Sequence, residues 1–316
     1  MSRHLVDPQL VAALEMFAPL DMEISRIGET RALFASMHPP VESYARPTVS
    51  IERTAAPGPE GAPDVPVTLY RPVQADGPLP VLLHVHGGGY LFGAAAGSGP
   101  DSVRTANELQ CVVASVDYRL APETRAPGAV EDCYAVLAWL NRNADTLGID
   151  RTRIAVGGES AGGGVAAALA LLARDRGEYA LCFQLLIYPM LDDRTCVRED
   201  VNPHVGQFVW KPDYNLLGWS CYLGVKPGSA GVSPYAAPAR ATDLSGLPPA
   251  YICVGSLDLF LEEDMDYAAR LMAAGVTVEM QIYPGAYHAF EMVFDSDVAQ
   301  RAEADRRRAL GAAFSR

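Results

Sequence analysis

Long apolar runs are missing from this 316-residue chain, and none approaches the roughly 20 residues that a membrane-spanning helix needs. Basic residues are also scarce. The 25 Lys and Arg stand against 38 Asp and Glu, a formal net charge of −13, which argues against nucleic-acid binding because phosphate contacts need clustered cations. The arginines near the C-terminus are interleaved with acids and favour a solvated helix face: Arg301, Arg306, Arg307 and Arg308.

Metal-ligand spacing is absent from the cysteines as well. The six of them, at positions 111, 133, 182, 196, 221 and 253, form no CxxC pair, so we expect buried free thiols and no metal. The first residues, MSRHLVDPQL, lack the apolar core of a secretory signal, and we therefore expect a reducing, cytoplasmic compartment. The composition is that of an ordinary globular protein, with 49% hydrophobic residues available for a core.

After residue 80, short apolar runs alternate with helical patterns. Strands are predicted at 81–85, 111–116, 154–156, 181–187, 251–254 and 276–282, and helices at 130–140, 165–174, 262–273 and 298–314. Apolar strands separated by helices predict an α/β fold with a mostly parallel central sheet and helices on both faces. Residues 49–53 and 65–70 flank a Pro/Gly-rich turn and predict an antiparallel hairpin at one sheet edge.

Two segments fall outside this alternation. Residues 1–45 contain a short amphipathic pattern, and residues from 192 to about 225 form a long, aromatic-bearing stretch that Pro203 and Pro212 interrupt. A stretch of this length between two strands favours a helical cap over a plain connection. The sequence therefore predicts an N-terminal cap segment, 1–45, and a catalytic domain, 46–316, with a cap insertion at about 192–225.

The sequence GESAG at residues 158–162 lies between a predicted strand and a predicted helix, which is the layout of a nucleophile elbow. So sharp a turn forces the serine into a strained backbone conformation, and the chain passes only if the neighbours lack bulky side chains. Ser160 would then stand clear of the sheet at a helix N-terminus, where N–H groups favour negative charge. GxSxG also arises by chance in a chain with 28 glycines, so the surrounding motifs decide.

Residues 86–90, HGGGY, follow the strand that ends at Val85 and are called the glycine loop below. Successive glycines expose backbone N–H groups, and those of Gly87, Gly88 and Ala161 predict an oxyanion hole. A phosphate-binding loop is the alternative, but the spacing matches neither GxGxxG nor Walker A.

Two further polar residues follow predicted strands. Asp258 comes after the strand at 251–254, and His288 after the strand that ends near Tyr283. A histidine can take the proton of a serine hydroxyl, and an acid can fix the tautomer of that histidine. In a parallel sheet the strand ends converge at one edge, and the chain order Ser, Asp, His is that of the α/β-hydrolases.

Other residues compete for these roles. The alternative acids are Asp192, Asp193, Asp264 and Asp266, of which the last two favour a helix N-terminus, and the other histidines are His4, His38, His84, His86 and His204. His86 begins the glycine loop and is better suited to anchor its backbone than to act as a base. Glu159 beside the serine is interpreted as support for the site, with a simple helix N-terminal acid as the alternative.

Together these motifs resemble the hormone-sensitive-lipase-like branch of the α/β-hydrolase carboxylesterases. The resemblance rests on HGGG at 86–89, DYRLAPE at 117–123, GESAGG at 158–163, Asp258, and YPGAYH at 283–288, and covers about residue 65 to the C-terminus. It implies Ser160 as nucleophile, His288 as base, Asp258 as its orienter, an oxyanion hole from Gly87, Gly88 and Ala161, a cap, and pairing of two chains through a sheet edge.

The chain departs from the family pattern at two positions without changing a triad member. The family frequently has Asp or Thr where Glu159 stands, and Gly where Ala289 stands. These departures bear on selectivity. We assign the 117–123 segment to structure beneath the site.

The predicted activity is that of a cofactor-independent serine carboxylesterase that forms an acyl-enzyme from a small-molecule ester. An amidase, lactonase or carbohydrate deacetylase would use the same triad, since a fold does not determine the leaving group. A receptor that only binds its ligand would usually lose a triad member. Aromatic and apolar residues predict a pocket for short to medium acyl chains, with ordinary cap packing as the alternative: Tyr90, Phe92, Phe208, Trp210, Tyr214, Leu259 and Phe290.

Overall fold

Eight strands form one sheet in the order β1-β2-β4-β3-β5-β6-β7-β8. The structure is a computed structural model that describes residues 2–15, 17 and 23–315. The rest of the predicted cap segment (1, 16, 18–22) and residue 316 of the predicted catalytic domain lie outside the described residues. The strands are β1 (Val49–Ala56), β2 (Val65–Pro72), β3 (Leu79–Val85), β4 (Val112–Val116), β5 (Ile149–Glu159), β6 (Phe183–Ile187), β7 (Ala250–Gly255) and β8 (Val278–Tyr283).

The sheet is mostly parallel, as predicted. The β1–β2 and β2–β4 pairs are antiparallel, and the five other neighbouring pairs are parallel. The predicted hairpin is therefore confirmed as β1 and β2, at one edge of the sheet. Strand β5 extends beyond the apolar run at 154–156, and its polar residues 150–153 are partly or fully exposed.

Eight α-helices surround the sheet in the described residues. They are α1 (Ile27–Met37), α2 (Gly99–Leu109), α3 (Gly128–Arg142), α4 (Ala144–Leu147), α5 (Ala161–Arg176), α6 (Pro212–Leu223), α7 (Leu261–Ala273) and α8 (Asp297–Phe314). The four predicted helices correspond to α3, α5, α7 and α8. Pro212, counted above as an interruption, instead begins α6, where its missing N–H costs no intrahelical bond. No described helix is both long and apolar enough to cross a bilayer.

Side chains that alternate along the central strands pack on opposite faces of the sheet. Val81 and Leu83 belong to an apolar cluster that includes residues of α3, α5 and α7. Leu82, between them, belongs to a second cluster with residues of α2 and α8. This alternation follows from the two-residue period of a strand, and it explains why β3 is apolar along its whole length.

Helices α1 and α6 lie against the glycine loop. The Arg31 side chain on α1 donates to the Leu91 carbonyl (2.8 Å) and the Ala121 carbonyl (2.6 Å), and it pairs with Glu123. On α6, Gly218 lies so close to the loop that a Cβ there would be 2.8 Å from the Gly89 carbonyl oxygen. Both segments of the predicted cap therefore contact the edge of the sheet where β3 ends.

The close approach of α5 to β3 gives a test of the packing. A Cβ on Gly162 would lie 2.1 Å from the Val85 carbonyl oxygen and 2.4 Å from that of His86, and both are backbone atoms that cannot move aside. We expect Gly162→Ala to lower the free energy of unfolding by roughly 1–3 kcal/mol, as overpacking does. Urea denaturation measures the change.

The matched control is Gly28→Ala in α1, where nothing lies within 4 Å of the added Cβ. It should be neutral, or stabilising by up to about 1 kcal/mol. Equal effects of the two substitutions would contradict the packing described for Gly162.

Candidate active site

Ser160 lies at the sharp turn between β5 and α5, with φ of 56° and ψ of −122°. This is a left-handed conformation that a serine adopts only when its surroundings impose it. Its N–H donates to the Ile187 carbonyl at 2.9 Å, and its carbonyl accepts from the N–H groups of Gly164 and Met190. A Cβ on Gly158 would lie 2.2 Å from the Val85 carbonyl oxygen, so β3 leaves no room for a side chain there. These contacts build the predicted elbow.

Three side chains distant in sequence meet at Ser160. The His288 Nε2 lies 3.0 Å from the Ser160 Oγ, and the His288 Nδ1 lies 2.8 Å from the Asp258 Oδ2. The other oxygen of Asp258 accepts the Phe260 N–H at 3.0 Å, which fixes the carboxylate. Asp258 is fully buried, and Ser160 and His288 are only 6% and 5% exposed, so these bonds are shielded from water. A hydroxyl, an imidazole and a carboxylate in this order can activate an oxygen nucleophile.

Aromatic side chains enclose the imidazole of His288. The rings of Tyr188 and Phe260 meet it edge-on, with centroids 4.7 and 5.3 Å away, and the Trp210 ring lies 6.2 Å away. Neither Tyr188 nor Phe260 was predicted from the sequence as a site residue. Tyr188 directly follows β6, as Ser160 directly follows β5, and this position in the sequence could have identified it.

The glycine loop lies beside the serine. The Glu159 carbonyl oxygen and the Ser160 Cβ are 3.0 and 3.5 Å from the position of a Cβ on Gly87. The N–H groups of Gly87, Gly88 and Ala161 have no acceptor among the described residues. Gly88 has φ of +119° and Gly89 has φ of +60°, which glycine adopts without strain. The loop thus brings backbone donors next to the serine.

His86 anchors the glycine loop, as predicted from the sequence. Its Nδ1 bonds the Gly87 carbonyl at 2.8 Å, and its ring stacks on Tyr118 at 4.3 Å, with the Tyr118 hydroxyl donating to the His86 carbonyl. Burial lowers the pKa of His86, which favours the neutral ring. Asp117 accepts the Ala95 N–H at 2.6 Å, and the 117–123 segment lies beneath the loop in the structural role assigned to it.

The competing acids and histidines lie elsewhere. Asp192 pairs with Arg194, Asp193 with Arg240, and Asp266 with Arg270. Asp264 is buried in the first turn of α7, where burial raises its pKa well above the ordinary value. His204 bonds the Ser2 hydroxyl, and His84 bonds Glu159. Among these candidates, Asp258 and His288 alone reach the serine as a chain of hydrogen bonds.

The predicted pocket residues do not all lie together. Trp210 lies over the glycine loop, since a Cβ on Gly89 would be 2.2 Å from its indole, and Tyr214 packs 6.0 Å from it. Phe92 contacts Phe34 of α1, the Phe208 ring lies 6.1 Å from that of Tyr287, and Leu259 lies against Gly206.

The other two predicted pocket residues, Tyr90 and Phe290, are each only 1% exposed. Tyr90 stacks on Tyr222, and Phe290 packs on Tyr283. Trp210 is thus the predicted pocket residue with a ring contact to His288.

Glu291, three residues after His288, is a half-buried acid that was not predicted from the sequence. It accepts a hydrogen bond from the Tyr188 hydroxyl, and burial raises its pKa to about 7. It thus supports the tyrosine that meets His288 edge-on. No three His, Cys, Asp or Glu side chains in the described part of the chain are grouped to hold a metal ion.

Comparison with known proteins places these features in a family. A family model described as alpha/beta hydrolase fold matches residues 82–292. Carboxylesterase NlhH of Mycobacterium tuberculosis is 35% identical over 296 residues, which is 92% of this chain and 90% of that protein. A solved bacterial heroin esterase is 41% identical with a TM-score of 0.92, covering 99% of both chains. Esterase LipW of Mycobacterium marinum is 33% identical with a TM-score of 0.88, covering 100% of this chain and 98% of that one. The chain belongs to the hormone-sensitive-lipase-like family of α/β-hydrolase carboxylesterases.

Proposed function

We propose that this protein hydrolyses small carboxylic esters through an acyl-enzyme on Ser160, with His288 as the general base and Asp258 as its orienting acid. The family membership makes the chain a carboxylic ester hydrolase. The observation that carries the mechanism is the continuous set of hydrogen bonds from Asp258 through His288 to the Ser160 hydroxyl.

In the first half-reaction, the Ser160 Oγ attacks the ester carbonyl carbon as His288 Nε2 takes its proton. The imidazolium that forms is stabilised by the Asp258 carboxylate. When the tetrahedral intermediate breaks down, His288 gives the proton to the leaving alcohol and the acyl group stays on Ser160. A water molecule, deprotonated by the same imidazole, then releases the acid and restores the hydroxyl.

The negative oxygen of each intermediate is bound by backbone N–H groups in this proposal. Those of Gly87, Gly88 and Ala161 lie beside the nucleophile and lack acceptors among the described residues. Because Gly87 and Gly88 are fixed by His86 and by the turn at Gly89, the donors are held in place before the reaction begins. Such preorganised donors stabilise developing charge at no reorganisation cost.

The substrate range follows from the cap in this proposal. The described residues of 1–45 and residues of about 192–225 form that cap. Trp210, Tyr214 and Phe208 of the cap surround the acyl site together with Leu259 and Phe92, which lie outside it. The Trp210 indole is only 5% exposed and its Nε1 donates to Asn215 Oδ1 at 3.2 Å, so it is a fixed wall. A fixed aromatic wall next to the triad favours short and medium acyl chains over long ones.

The same triad would serve an amide, a lactone or a sugar acetate, and a matched panel of ester, lactone and amide substrates separates these activities. The proposal also retains pairing of two chains through a sheet edge. It retains a reducing, cytoplasmic compartment, which fits the six free cysteines.

The mechanism is tested by Ser160→Ala. We expect kcat for p-nitrophenyl acetate to fall by roughly 10⁴-fold or more, because the nucleophile is lost, while the melting temperature stays close to that of the wild type. Fluorophosphonate labelling of the wild type, mapped by mass spectrometry, should modify Ser160. The control is Ser245→Ala on an exposed turn. Retained hydrolysis in Ser160→Ala would end the proposal.

The pocket is tested by Trp210→Ala with p-nitrophenyl esters of increasing acyl length. The wild type should prefer short to medium chains. In the variant, the ratio of kcat/KM for octanoate to that for acetate should rise about tenfold, since the wall is removed. Trp139→Ala on α3 serves as the control, because it removes a tryptophan from a helix on one face of the sheet. An unchanged ratio in Trp210→Ala would exclude Trp210 as the wall.

A further inference from the structure

Two charged side chains pair across the strands that lead into the site. Glu159 is the last residue of β5 and directly precedes Ser160, whereas His84 lies on β3, two residues before His86 of the glycine loop. The His84 Nε2 lies 3.0 Å from Glu159 Oε2 and 3.2 Å from Oε1. Since β3 and β5 are parallel neighbours, the pair joins them at the point where both leave the sheet.

The His84 ring is held from its other side as well. Its Nδ1 lies 3.1 Å from the hydroxyl of Ser115 on β4, and 3.4 Å from that of Ser98. Both ring nitrogens therefore face oxygen atoms. A protonated imidazole, which donates from both nitrogens, satisfies this arrangement.

The surrounding charges favour the ionised pair. Burial alone would lower the pKa of His84, but the charge and hydrogen bond of Glu159, with Asp101, outweigh it and raise that pKa above 6.5, against the opposing charge of Arg306. Burial would likewise raise the pKa of Glu159, but His84 and then Arg306 lower it below 4.5. Both shifts favour the pairing of an imidazolium with a carboxylate over the neutral pair.

The backbone of Glu159 touches the glycine loop at the same place. Its carbonyl oxygen is 3.0 Å from the position of a Cβ on Gly87, so the two segments that form the site meet there. Behind the elbow, His84 and Glu159 line a cavity of about 20 Å³ together with Asp101 and Arg306. Its lining includes residues of α2 and α8, on the face of the sheet opposite to α5, so the paired side chains lie on that face.

We propose that His84 and Glu159 are positioning residues whose ion pair fixes the separation between the Ser160 hydroxyl and the N–H groups of the glycine loop. The inference rests on the proposed function, because it concerns the geometry of that nucleophile and those donors. A displacement of about 1 Å between reacting groups can lower a rate about 100-fold, whereas ground-state binding by the cap does not depend on this spacing. The pair therefore acts on kcat and leaves KM unchanged.

The pair also makes kcat depend on pH. The groups that face His84 are Glu159, Asp101, Arg306 and His86, with the two serine hydroxyls on Nδ1. A raised folded-state pKa means that the stabilisation by His84 is complete below 6.5 and is lost as pH rises through the folded pKa. The contribution of Glu159 is present above 4.5 and is lost as pH falls through its lowered pKa. Above the pKa of His84, the pair breaks and kcat declines.

The experiment compares Glu159→Gln, His84→Gln and the double variant with the wild type, using p-nitrophenyl acetate from pH 5 to 10. Each single variant should lose about ten- to hundredfold in kcat at neutral pH with KM within twofold, and the double variant should lose no more than the worse single. The alkaline decline of kcat expected in the wild type should be absent from His84→Gln. The control is Asp193→Asn, which removes the charge of another buried ion pair, with Arg240.

Asp193→Asn should lower the melting temperature and leave kcat and its pH profile unchanged. A kcat within twofold of the wild type in Glu159→Gln would overturn the proposal. Additive losses in the double variant would also overturn it. So would a His84→Gln variant that loses kcat but keeps the alkaline decline of the wild type. If Glu159→Gln does not fold, Ser115→Ala decides: removal of this buried acceptor should move the alkaline decline to lower pH, and an unmoved decline would overturn the proposal.

Fluorophosphonate labelling separates this inference from the proposed function. All variants should still be labelled at Ser160, at reduced rates in those that lack the pair. If Ser160→Ala keeps its activity, the mechanism itself fails. If Ser160→Ala is inactive and Glu159→Gln behaves like the wild type, the role of the pair alone fails.

Discussion

The turn at Ser160 is the constraint on which the site depends. A serine at φ of 56° is unfavourable on its own, and it persists because β3 packs against the turn on one side and β6 bonds its N–H on the other. The missing side chains at Gly158 and Gly162 allow that packing. Strain at one residue is thus maintained by the sheet and by α5, and the serine hydroxyl is displayed as a result.

The parallel sheet then determines which residues meet this hydroxyl. Strands β3, β5, β6, β7 and β8 all end at one edge, so residues from positions 86 to 288 come together there. The imidazole of His288 is enclosed by Tyr188 and Phe260, which limits its rotation while its two nitrogens keep their partners. Packing and hydrogen bonds both orient this imidazole, and they come from residues that follow β5, β6 and β7.

Features specified by short sequence patterns were predictable, and features specified by packing were not. The serine turn and the glycine loop could be predicted because each depends on local backbone requirements. The order of Ser, Asp and His could be predicted because each residue follows a strand of one parallel sheet. The edge contacts of Phe260 and the pair between His84 and Glu159 depend on which strands are neighbours. A sequence pattern does not specify that adjacency for side chains 75 positions apart.

The start of α6 was not predicted from the sequence, for a related reason. Pro212 was interpreted from the sequence as an interruption, but it begins α6, because a proline is suited to the first position of a helix. The close contact between Gly218 of α6 and the Gly89 carbonyl was not predictable either, because nothing near Gly218 in sequence indicates the loop beneath it.

The N-terminal helix has a consequence for how this chain tolerates shortening. The guanidinium of Arg31 binds two main-chain oxygens, at Leu91 and Ala121, that belong to the body of the enzyme. Removing the first 34 residues would deprive those oxygens of their donor and would also remove the Phe34 ring that packs on Phe92. In this protein α1 braces the backbone that follows the glycine loop, so a shortened chain would hold that loop less firmly.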